Sequence, residues 1–513
     1  MIERDFFQPG RSVSLAENGM VATSHPASSL AALDILREGG NAIDAAVCAV
    51  AVQGVVDAHM TGIGGDCFAL VAEAGKAPWC LNGSGRTPAA AVLGHYLDRG
   101  LDRIGEESPD SVTVPGAVDA WCTLVDEHGR LGMERVLRPA IEAAENGFLI
   151  TPRVAYDWAR YSARISRQPE ARAAYLPDGK AAQVGARLTH PALAETLRRI
   201  GREGRKAFYE GEVAADIVAT LRHLGGLHSE QDFAECRARA DTPISALYRD
   251  HELLECPPNG QGLAALIIVR ILDGFDLSGT RLSEAERIHL LAEATKIAYS
   301  IRDSVIGDPE TNSHDIDRLL SEPNIAPMRT GISMDRASPA ARWDAPVHRD
   351  TVYVSVIDRD RNCVSLINSL FNPFGSGIYA ARSGVLLQNR GSSFRVIEGH
   401  PNAIGPRKRP LHTIIPGMLR REGRPVMSFG VMGGQYQATG HAHFLSQILD
   451  RGFDPQMASD APRSFYFDGE LGLEPTIGAA TKKRLEEMGH VAKWADRPLG
   501  GCQAIWLDER RGI

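Results

Sequence analysis

The pattern of hydrophobic and polar residues changes its period once along the chain. Up to about residue 300, the clearest segments carry apolar residues every three or four positions, which predicts helices. These segments are 133–147, 191–201 and 283–299. From Thr351 the pattern consists of short β-branched runs, Val352–Ile357 and Cys363–Ile367, separated by the turn residues 358–362. The sequence therefore predicts a largely helical region followed by a β-rich region that opens on a hairpin.

The first 150 residues predict two helices and then a strand. Residues 28–29 are serines that can cap a first helix. The apolar face of this helix would carry Leu30, Leu33 and Leu36. Asn41 can cap a second helix, whose many alanines allow neighbouring elements to approach closely. A tight glycine loop follows, and residues 67–71 then predict a strand.

Between residues 307 and 346 the periodicity weakens. Clusters of Pro, Ser, Asp and Asn in this stretch predict a mobile linker without regular structure. The linker ends directly before the β-rich region. We therefore expect two units, 1–350 and 351–513, with their boundary between Asp350 and Thr351.

Composition and charge exclude several classes of protein. The chain has 513 residues, of which 43% are hydrophobic and 23% charged, as is ordinary for a globular protein. Its 56 basic and 64 acidic residues give a net charge of −8, so no nucleic-acid partner is predicted. The most apolar stretch, 45–56, is too short to span a membrane, which takes about 20 residues. We accordingly expect neither a membrane nor a nucleic-acid partner.

The N-terminal sequence and the cysteines predict a cytoplasmic protein. The N-terminal sequence has two acidic residues by position 5 and no apolar segment of the signal-peptide kind. The eight cysteines contain no Cys-x-x-Cys pair and are interpreted as reduced, mostly buried thiols.

Short motifs for metals and cofactors fail when tested in detail. Asp358–Asn362 begins like a calcium loop, but Cys363 and Ser369 occupy the positions that need Gly and Glu. The glycines at 62–65 lack the third glycine of a dinucleotide loop. His441 and His443 lie two residues apart on a predicted helix and so face different directions. We expect neither a cofactor nor a metal.

Thr351 lies at a position where cleavage of the chain would create a nucleophile. Cleavage of the bond before it would create a new N-terminus, with the hydroxyl beside its own α-amine. An α-amine has a pKa near 8 and can act as a base at neutral pH. The pair would form a self-contained nucleophile and base. From the local pattern alone, however, a Thr that opens a strand is usually structural.

Several separate segments resemble the γ-glutamyltranspeptidase family. Those that resemble the start of its small subunit are 350–362, 374–378 and 384–389. Those that resemble its large subunit, in the same order, are 19–26, 39–46, 62–65 and 111–116. The resemblance implies an N-terminal-nucleophile hydrolase: an α+β fold with a four-layer αββα sandwich. It also implies a precursor that cleaves itself into a large and a small subunit.

The resemblance assigns roles to individual residues. It makes Thr351 the nucleophile and Ser369 a hydroxyl that hydrogen-bonds the nucleophile. Gly433 and Gly434 match the pair whose N–H groups form the oxyanion hole. Arg86 matches the arginine that binds the carboxylate of the substrate, a task suited to a guanidinium fork.

The sequence departs from transpeptidases around the expected ammonium pocket. Ser392 and Ser393 stand where acidic or amide residues are expected, and Arg390 adds a positive charge. His412 and Thr413 replace a double serine, which is typical of the acylase and oxamate-amidohydrolase branch. The family's glycine triple is here Gly64-Gly65-Asp66. The pocket is therefore expected to have lost its carboxylate, and such a pocket should reject an α-ammonium group.

We therefore predict hydrolysis of a small carboxylate-bearing amide, oxamate- or glutaryl-like, through an acyl-Thr351 ester. Arg86, Arg390, His412 and Thr413 are the predicted substrate-binding residues. The first alternative is a γ-glutamyltransferase or glutathione hydrolase, and the second is a binding homologue without turnover. The predicted partners are the small-molecule amide and the two subunits of one precursor, and further oligomerisation stays open.

Overall fold

The computed structural model describes residues 10–279, 281–343 and 351–513. Its strands, in chain order, are β1 (Gly19–Thr23), β2 (Asp66–Ala72), β3 (Trp79–Gly83), β4 (Phe148–Leu149), β5 (Arg187–Leu188), β6 (Arg239–Asp241), β7 (Ile244–Tyr248), β8 (His251–Glu255), β9 (Val352–Asp358), β10 (Cys363–Ser369), β11 (Tyr379–Ala380), β12 (Val385–Leu386), β13 (Gly417–Arg421), β14 (Arg424–Met432), β15 (Ser464–Phe467), β16 (Glu470–Leu473), β17 (Ala492–Trp494) and β18 (Gly501–Trp506).

The helices lie mostly before residue 351. They are α1 (Pro26–Arg37), α2 (Ala42–Val56), α3 (Leu93–Leu97), α4 (Ala117–His128), α5 (Met133–Asn146), α6 (Pro152–Ile165), α7 (Pro169–Tyr175), α8 (Pro191–Glu203), α9 (Lys206–Tyr209), α10 (Glu212–His223), α11 (Glu230–Ala234), α12 (Gly262–Leu272), α13 (Glu284–Val305), α14 (Ile316–Leu320), α15 (Glu322–Thr330), α16 (Gln437–Leu449), α17 (Pro455–Asp460) and α18 (Ala479–Glu487).

Two antiparallel sheets stack face to face and are covered by helices on both outer sides. One sheet has the strand order β1-β9-β10-β2-β3-β6, and the other has the order β18-β14-β13-β8-β7. One apolar core lies between the first sheet and helices such as α2, α4 and α5. A second lies between the sheets, and a third lies between the second sheet and α12, α13 and α16. The arrangement confirms the predicted α+β fold with four αββα layers.

The predicted hairpin at the start of the β-rich region is confirmed. Strands β9 and β10 pair in antiparallel register, and Cys363 lies opposite Ile357. Asp358 closes the turn by accepting the N–H groups of Asp360 at 2.9 Å and Asn362 at 3.0 Å. Its other carboxylate oxygen accepts the N–H of Ala42, so the same side chain ties the turn to the start of α2.

The first two helices differ in how well the sequence predicted them. Asn41 caps α2 as expected, in a capping box with Asp44. The expectation for α1 is wrong in two respects, because His25 is its cap and Leu30 is exposed. The buried face of α1 consists of small residues and one isoleucine, namely Ser28, Ala31, Ala32 and Ile35.

The expectation of an unstructured linker over 307–346 is also wrong for much of its length. Helices α14 and α15 lie within it, because Leu320 and Ile325 are buried in the core beside α12. Further along, the side chain of Trp343 is buried, and the backbone N–H of Trp343 donates to the Asp468 carboxylate at 3.1 Å. Positions 344–350, which include the predicted Asp350 boundary, lie outside the described residues.

Within the described residues, no helix combines the length and apolar character needed to cross a membrane. Seven of the eight cysteines are buried, and all eight are free thiols, as the sequence predicted.

Candidate active site

Three side chains stand in a row across neighbouring strands at one end of the six-stranded sheet. Strand β10 pairs Asn368 with Val352 on one side and Ser369 with Asp66 on the other. Continuing the first register by one residue places Ser369 opposite Thr351. Because adjacent strands lie about 4.8 Å apart, Thr351 and Asp66 are separated by roughly 10 Å.

The side chains of this row face the space between the two sheets. Tyr353, Ile367 and Phe68 belong to the core between the sheets, and each lies two residues from a member of the row. Side chains two apart on a strand share a face. Thr351, Ser369 and Asp66 are therefore directed toward the second sheet, and all three are buried.

The hydroxyl contacts of the row differ in part from those expected. The Oγ1 of Thr351 donates to the carbonyl oxygen of Asn368 at 3.4 Å. The Oγ of Ser369 accepts the N–H of Phe371 at 2.9 Å and so fixes the turn that leaves β10. A hydrogen bond between Ser369 and Thr351 is not among the contacts of the described residues.

The predicted oxyanion glycines form the turn between β14 and α16. Gly433 has φ +126° and Gly434 has φ +57°, a left-handed backbone that favours glycine. Strands β9 and β14 face each other across the two sheets in a fixed register near this turn. Ser355 of β9 hydrogen-bonds Ser428 of β14, and a Cβ on Gly430 would meet the Tyr353 ring. Continuing this register brings the glycine turn to the Thr351 end of β9.

Asp66 joins four groups at the end of the row. One carboxylate oxygen accepts N–H groups from Gly85 at 2.9 Å, Gly116 at 3.1 Å and the Gln388 side chain at 2.9 Å. The other oxygen lies 3.1 Å from Nε2 of His412. A carboxylate has about four acceptor positions, two on each oxygen, so only the oxygen that contacts His412 keeps one of them.

The structure brings Arg390, His412 and Thr413 together beside Asp66. The side chain of Arg390 is fully buried and donates from Nη1 to the Thr413 hydroxyl at 2.8 Å. Its guanidinium carbon lies 4.2 Å from the centre of the Phe371 ring. Its Nε and Nη2 groups have no hydrogen-bond acceptor among the described residues. Buried N–H donors are costly to leave unpaired, so these two are available for a bound anion.

Burial sets the charges of this cluster at neutral pH. It lowers the pKa of Arg390 to about 9, an effect that the Asp66 carboxylate opposes, so Arg390 stays charged. Burial, together with the Arg390 charge, lowers the pKa of His412 to about 4. A neutral His412 donates its Nε2 proton to Asp66, which leaves Nδ1 as a buried acceptor without a partner in the described chain.

Arg86 lies next to this cluster but is already paired. Its guanidinium forms an ion pair with Glu310, lies 3.7 Å from Asp308 and donates to the carbonyl oxygen of Arg407 at 2.8 Å. Its side chain is 29% exposed, unlike that of Arg390. A carboxylate that bound Arg86 would have to compete with two acidic side chains, so Arg390 is the better placed of the two arginines.

Ser392 and Ser393 stabilise the loop that presents Arg390. The Ser393 hydroxyl donates to the carbonyl oxygens of Arg390 at 2.9 Å and Leu411 at 3.0 Å. The Ser392 hydroxyl donates to the carbonyl oxygen of Asn389 at 2.8 Å. Both serines therefore serve the backbone, as short side chains in turns often do.

Sequence reasoning missed Asp66, Gln388 and Gln261 as members of the site. Asp66 had one signal, since it interrupts a glycine triple of the family with a charged residue. Nothing local marks Gln388 or Gln261. Their importance comes from contacts with residues more than 100 positions away, such as the donation from Gln388 to the Thr113 hydroxyl at 3.0 Å.

One cluster of the described residues has the composition of a metal site. His289, Glu293 and His490 are buried and close together. The two rings hydrogen-bond each other at 2.8 Å, and His289 also contacts the carbonyl oxygen of Ser333 at 2.7 Å. Glu293 pairs with Lys296 at 2.7 Å. Most donor atoms of this cluster thus already have protein partners, whereas Nδ1 of His490 has none among the described residues. In the described part of the chain His441 and His443 form no such cluster, and His441 instead contacts Glu255 at 2.6 Å.

Comparison with known proteins shows similarity over nearly the whole chain. The sequence profile of the γ-glutamyltranspeptidase family matches residues 28–512. The glutathione hydrolase-like YwrD proenzyme of Bacillus subtilis is 36% identical over 96% of this chain and 94% of its own length. The oxamate amidohydrolase proenzyme of Klebsiella pneumoniae is 33% identical over 93% of this chain and 92% of its own.

Solved structures resemble the whole chain as well. The cephalosporin acylase of Bacillus halodurans superposes with a TM-score of 0.92 at 35% identity, and the match covers 99% of this chain and 95% of that chain. The γ-glutamyltranspeptidase of Helicobacter pylori matches 64% of this chain with a TM-score of 0.61 at 27% identity. These matches confirm the resemblance on which the residue roles were predicted.

Proposed function

We propose that this chain, which belongs to the γ-glutamyltranspeptidase family, hydrolyses an amide whose small acyl group carries a carboxylate. Its membership makes it an enzyme of the N-terminal-nucleophile hydrolase type. The carboxylate-bearing substrate, the acyl-threonine intermediate and the residue roles are our proposals. The observation that carries them is the buried Arg390, with two N–H donors unpaired among the described residues.

The first chemical step is an attack by the Thr351 hydroxyl on the amide carbonyl. The α-amine of the processed Thr351 takes the hydroxyl proton and passes it to the leaving amine. The N–H groups of Gly433 and Gly434 stabilise the oxyanion that forms. The resulting acyl-Thr351 ester is then hydrolysed by water, which releases the acid and restores the nucleophile.

Arg390 selects the acyl group. Its Nε and Nη2 form one edge of the guanidinium fork, and that edge can hold both oxygens of a carboxylate. Thr413 holds the opposite side of the fork, so the free edge has a fixed direction. The relative named oxamate amidohydrolase fits such a pocket, since oxamate carries a carboxylate.

A γ-glutamyl group should bind poorly despite the Asp66 carboxylate nearby. The α-ammonium of that group needs acceptors with free lone pairs, and Asp66 already takes part in four hydrogen bonds that leave one lone pair, on the oxygen that contacts His412. His412 is neutral and offers a single acceptor atom, while Arg390 repels a cation. An ammonium group left unpaired in a buried site costs more than about 1–3 kcal/mol.

The test compares two anilides that differ only in the α-ammonium group. Glutaryl 4-nitroanilide should have a kcat/KM at least ~10-fold above that of γ-glutamyl 4-nitroanilide, as the cost of one unpaired polar group implies. A kcat/KM for the γ-glutamyl compound equal to or above the glutaryl value would reject this substrate class. It would favour the glutathione-hydrolase activity suggested by the name of the Bacillus subtilis relative.

We also propose that the chain is a precursor cut between Asp350 and Thr351 into subunits 1–350 and 351–513. The support is the burial of Thr351 at the start of β9 and the proenzyme names of the relatives. Purified protein should give two bands on a denaturing gel, and Thr351→Ala should give one. Thr351→Ser, which keeps a hydroxyl, is the matched control. Two bands from Thr351→Ala would refute self-cleavage by this residue.

A further inference from the structure

A single buried glutamine connects the pocket around Arg390 to the glycine turn. The side-chain amide of Gln261 donates from Nε2 to the carbonyl oxygen of Thr413 at 2.8 Å and to that of Gly434 at 3.1 Å. Thr413 holds Arg390, and Gly434 belongs to the proposed oxyanion hole. One nitrogen atom therefore contacts both halves of the site.

The other end of the amide is held just as firmly. Its Oε1 accepts from Nη1 of Arg302 at 2.9 Å, and the same nitrogen donates to Oε1 of Gln435 at 2.6 Å. Arg302 is itself buried and stacks 4.2 Å from the centre of the Tyr299 ring. The orientation of the amide is thus fixed, because only its nitrogen end can donate to the two carbonyl oxygens.

The backbone of Gln261 strengthens the same connection. Its N–H donates to the carbonyl oxygen of His412 at 2.9 Å, and the N–H of His412 donates to the carbonyl oxygen of Asn259 at 2.8 Å. Residues 259–261 therefore hold His412 through both its backbone N–H and its carbonyl oxygen. The segment 259–261 belongs to the proposed large subunit, whereas His412, Thr413 and Gly434 belong to the small subunit.

We infer that Gln261 is a positioning residue that sets the distance between the carboxylate pocket and the oxyanion hole. The inference rests on the proposed function. In the proposed reaction Gln261 contacts neither the acyl carboxylate nor the reacting carbonyl group. It acts through Thr413 on substrate binding and through Gly434 on the transition state. Catalysis is sensitive to displacements of about 1 Å, so its loss should affect both KM and kcat.

The variant Gln261→Leu keeps the size of the side chain and removes both donations. We expect its kcat on glutaryl 4-nitroanilide to fall about tenfold or more, as is typical when groups that hold an oxyanion are disturbed. Its KM for this substrate should rise as well. On pentanoyl 4-nitroanilide, which has the same chain length and no carboxylate, only the fall in kcat should remain.

A double-mutant cycle separates the two routes. Thr413→Val removes the acceptor of Arg390 and should weaken only the glutaryl substrate. In that background, Gln261→Leu should reduce kcat/KM equally for the two anilides, because the Thr413 route is already lost. Additive losses on the glutaryl substrate would refute the Thr413 route.

Gln437→Leu is the matched control for a merely structural role. Gln437 is an equally buried glutamine whose side chain accepts the N–H of Ile415 at 3.0 Å. Its backbone N–H donates to the Gly434 carbonyl oxygen, a contact that the substitution keeps, and its side chain hydrogen-bonds neither Thr413 nor Gly434 in the described chain. We expect Gln437→Leu to lose thermal stability without the change in substrate preference. An equal change in both variants, or no change in fully processed Gln261→Leu, overturns the inference.

Two further measurements keep the result decisive. If Gln261→Leu does not fold, Gln261→Glu retains the contact with Arg302 but places an acceptor opposite two carbonyl oxygens, and it should show the same losses. The activity of the parent enzyme on the glutaryl anilide tests the proposed function. The ratio of variant to parent, on whichever anilide the parent hydrolyses fastest, tests the role of Gln261.

Discussion

Arg390 and Arg86 show that the sequence position of an arginine does not determine which partners its guanidinium group has in the fold. Both were predicted as substrate-binding residues, Arg86 from the family resemblance and Arg390 from a departure from it. The structure separates them by their partners, since Arg86 is paired with Glu310 and Arg390 keeps two buried donors free in the described chain. That difference arises from residues 66, 310 and 413. No local pattern around an arginine indicates what will lie against it after folding, so this part of the site could not be predicted from sequence.

Replacing the two arginines should therefore give unequal effects. Arg390→Lys keeps the charge and loses the planar fork, so we expect KM for the glutaryl anilide to rise about tenfold or more with a smaller change in kcat. Arg86→Ala should raise KM less, because its charge is already compensated. Steady-state kinetics of both processed variants provide the comparison. A larger effect from Arg86→Ala would move the carboxylate site to that residue.

Among the elements, the sequence predicted strands and helix ends better than helix faces. The hairpin β9–β10 and the capping of α2 were predicted correctly, because turn residues and caps act over a few positions. The leucines of α1 indicated the wrong face. Ser28 donates to the carbonyl oxygen of Ala49 at 2.7 Å, and the small residues of both helices allow this close approach. Which face is buried depends on the partner helix, and a single helix does not encode its partner.

The packing of the two sheets gives a prediction at the same scale. A Cβ on Gly430 would lie 2.3 Å from two atoms of the Tyr353 ring, so Gly430→Ala must push β14 away from β9. We expect a loss of about 1–3 kcal/mol in the free energy of unfolding, as overpacked cores show. Chemical denaturation measures it.

Gly94→Ala is the control for this change. A Cβ at Gly94 would meet nothing within 4 Å, and alanine is the better helix former in α3. That variant should be as stable as the parent or slightly more stable. Equal stability of the Gly430 and Gly94 variants would contradict the close packing of the sheets.

Across the whole molecule, buried histidines make the fold sensitive to acid. Burial lowers the pKa values of His190, His412 and His490 to about 4 and that of His443 to about 3. An unfolded histidine titrates near 6.5. Between these values the unfolded chain binds protons that the folded chain does not. Stability is therefore complete above about pH 6.5 and decreases as the pH falls toward 4.

The expected loss is large enough to measure. Each such histidine should cost ~2 kcal/mol at pH 5, from 1.36 kcal/mol for each unit below 6.5. Thermal unfolding between pH 7.5 and pH 5 should show a steadily falling Tm. His443→Gln removes one titrating group and should flatten the dependence. A Tm that is constant over this range, or an unchanged slope in His443→Gln, would show that these residues are not responsible.

The order of the strands in the six-stranded sheet affects how readily the protein refolds after unfolding. Strands β9 and β10 lie between β1 and β2, so neither 1–350 nor 351–513 contains a complete six-stranded sheet. If the bond before Thr351 is cut as proposed, refolding becomes a second-order reaction between two chains. Its rate should fall on dilution, whereas refolding of Thr351→Ala should be independent of concentration. The mature enzyme would then depend on its folding history, because it forms readily from one chain and only slowly from two.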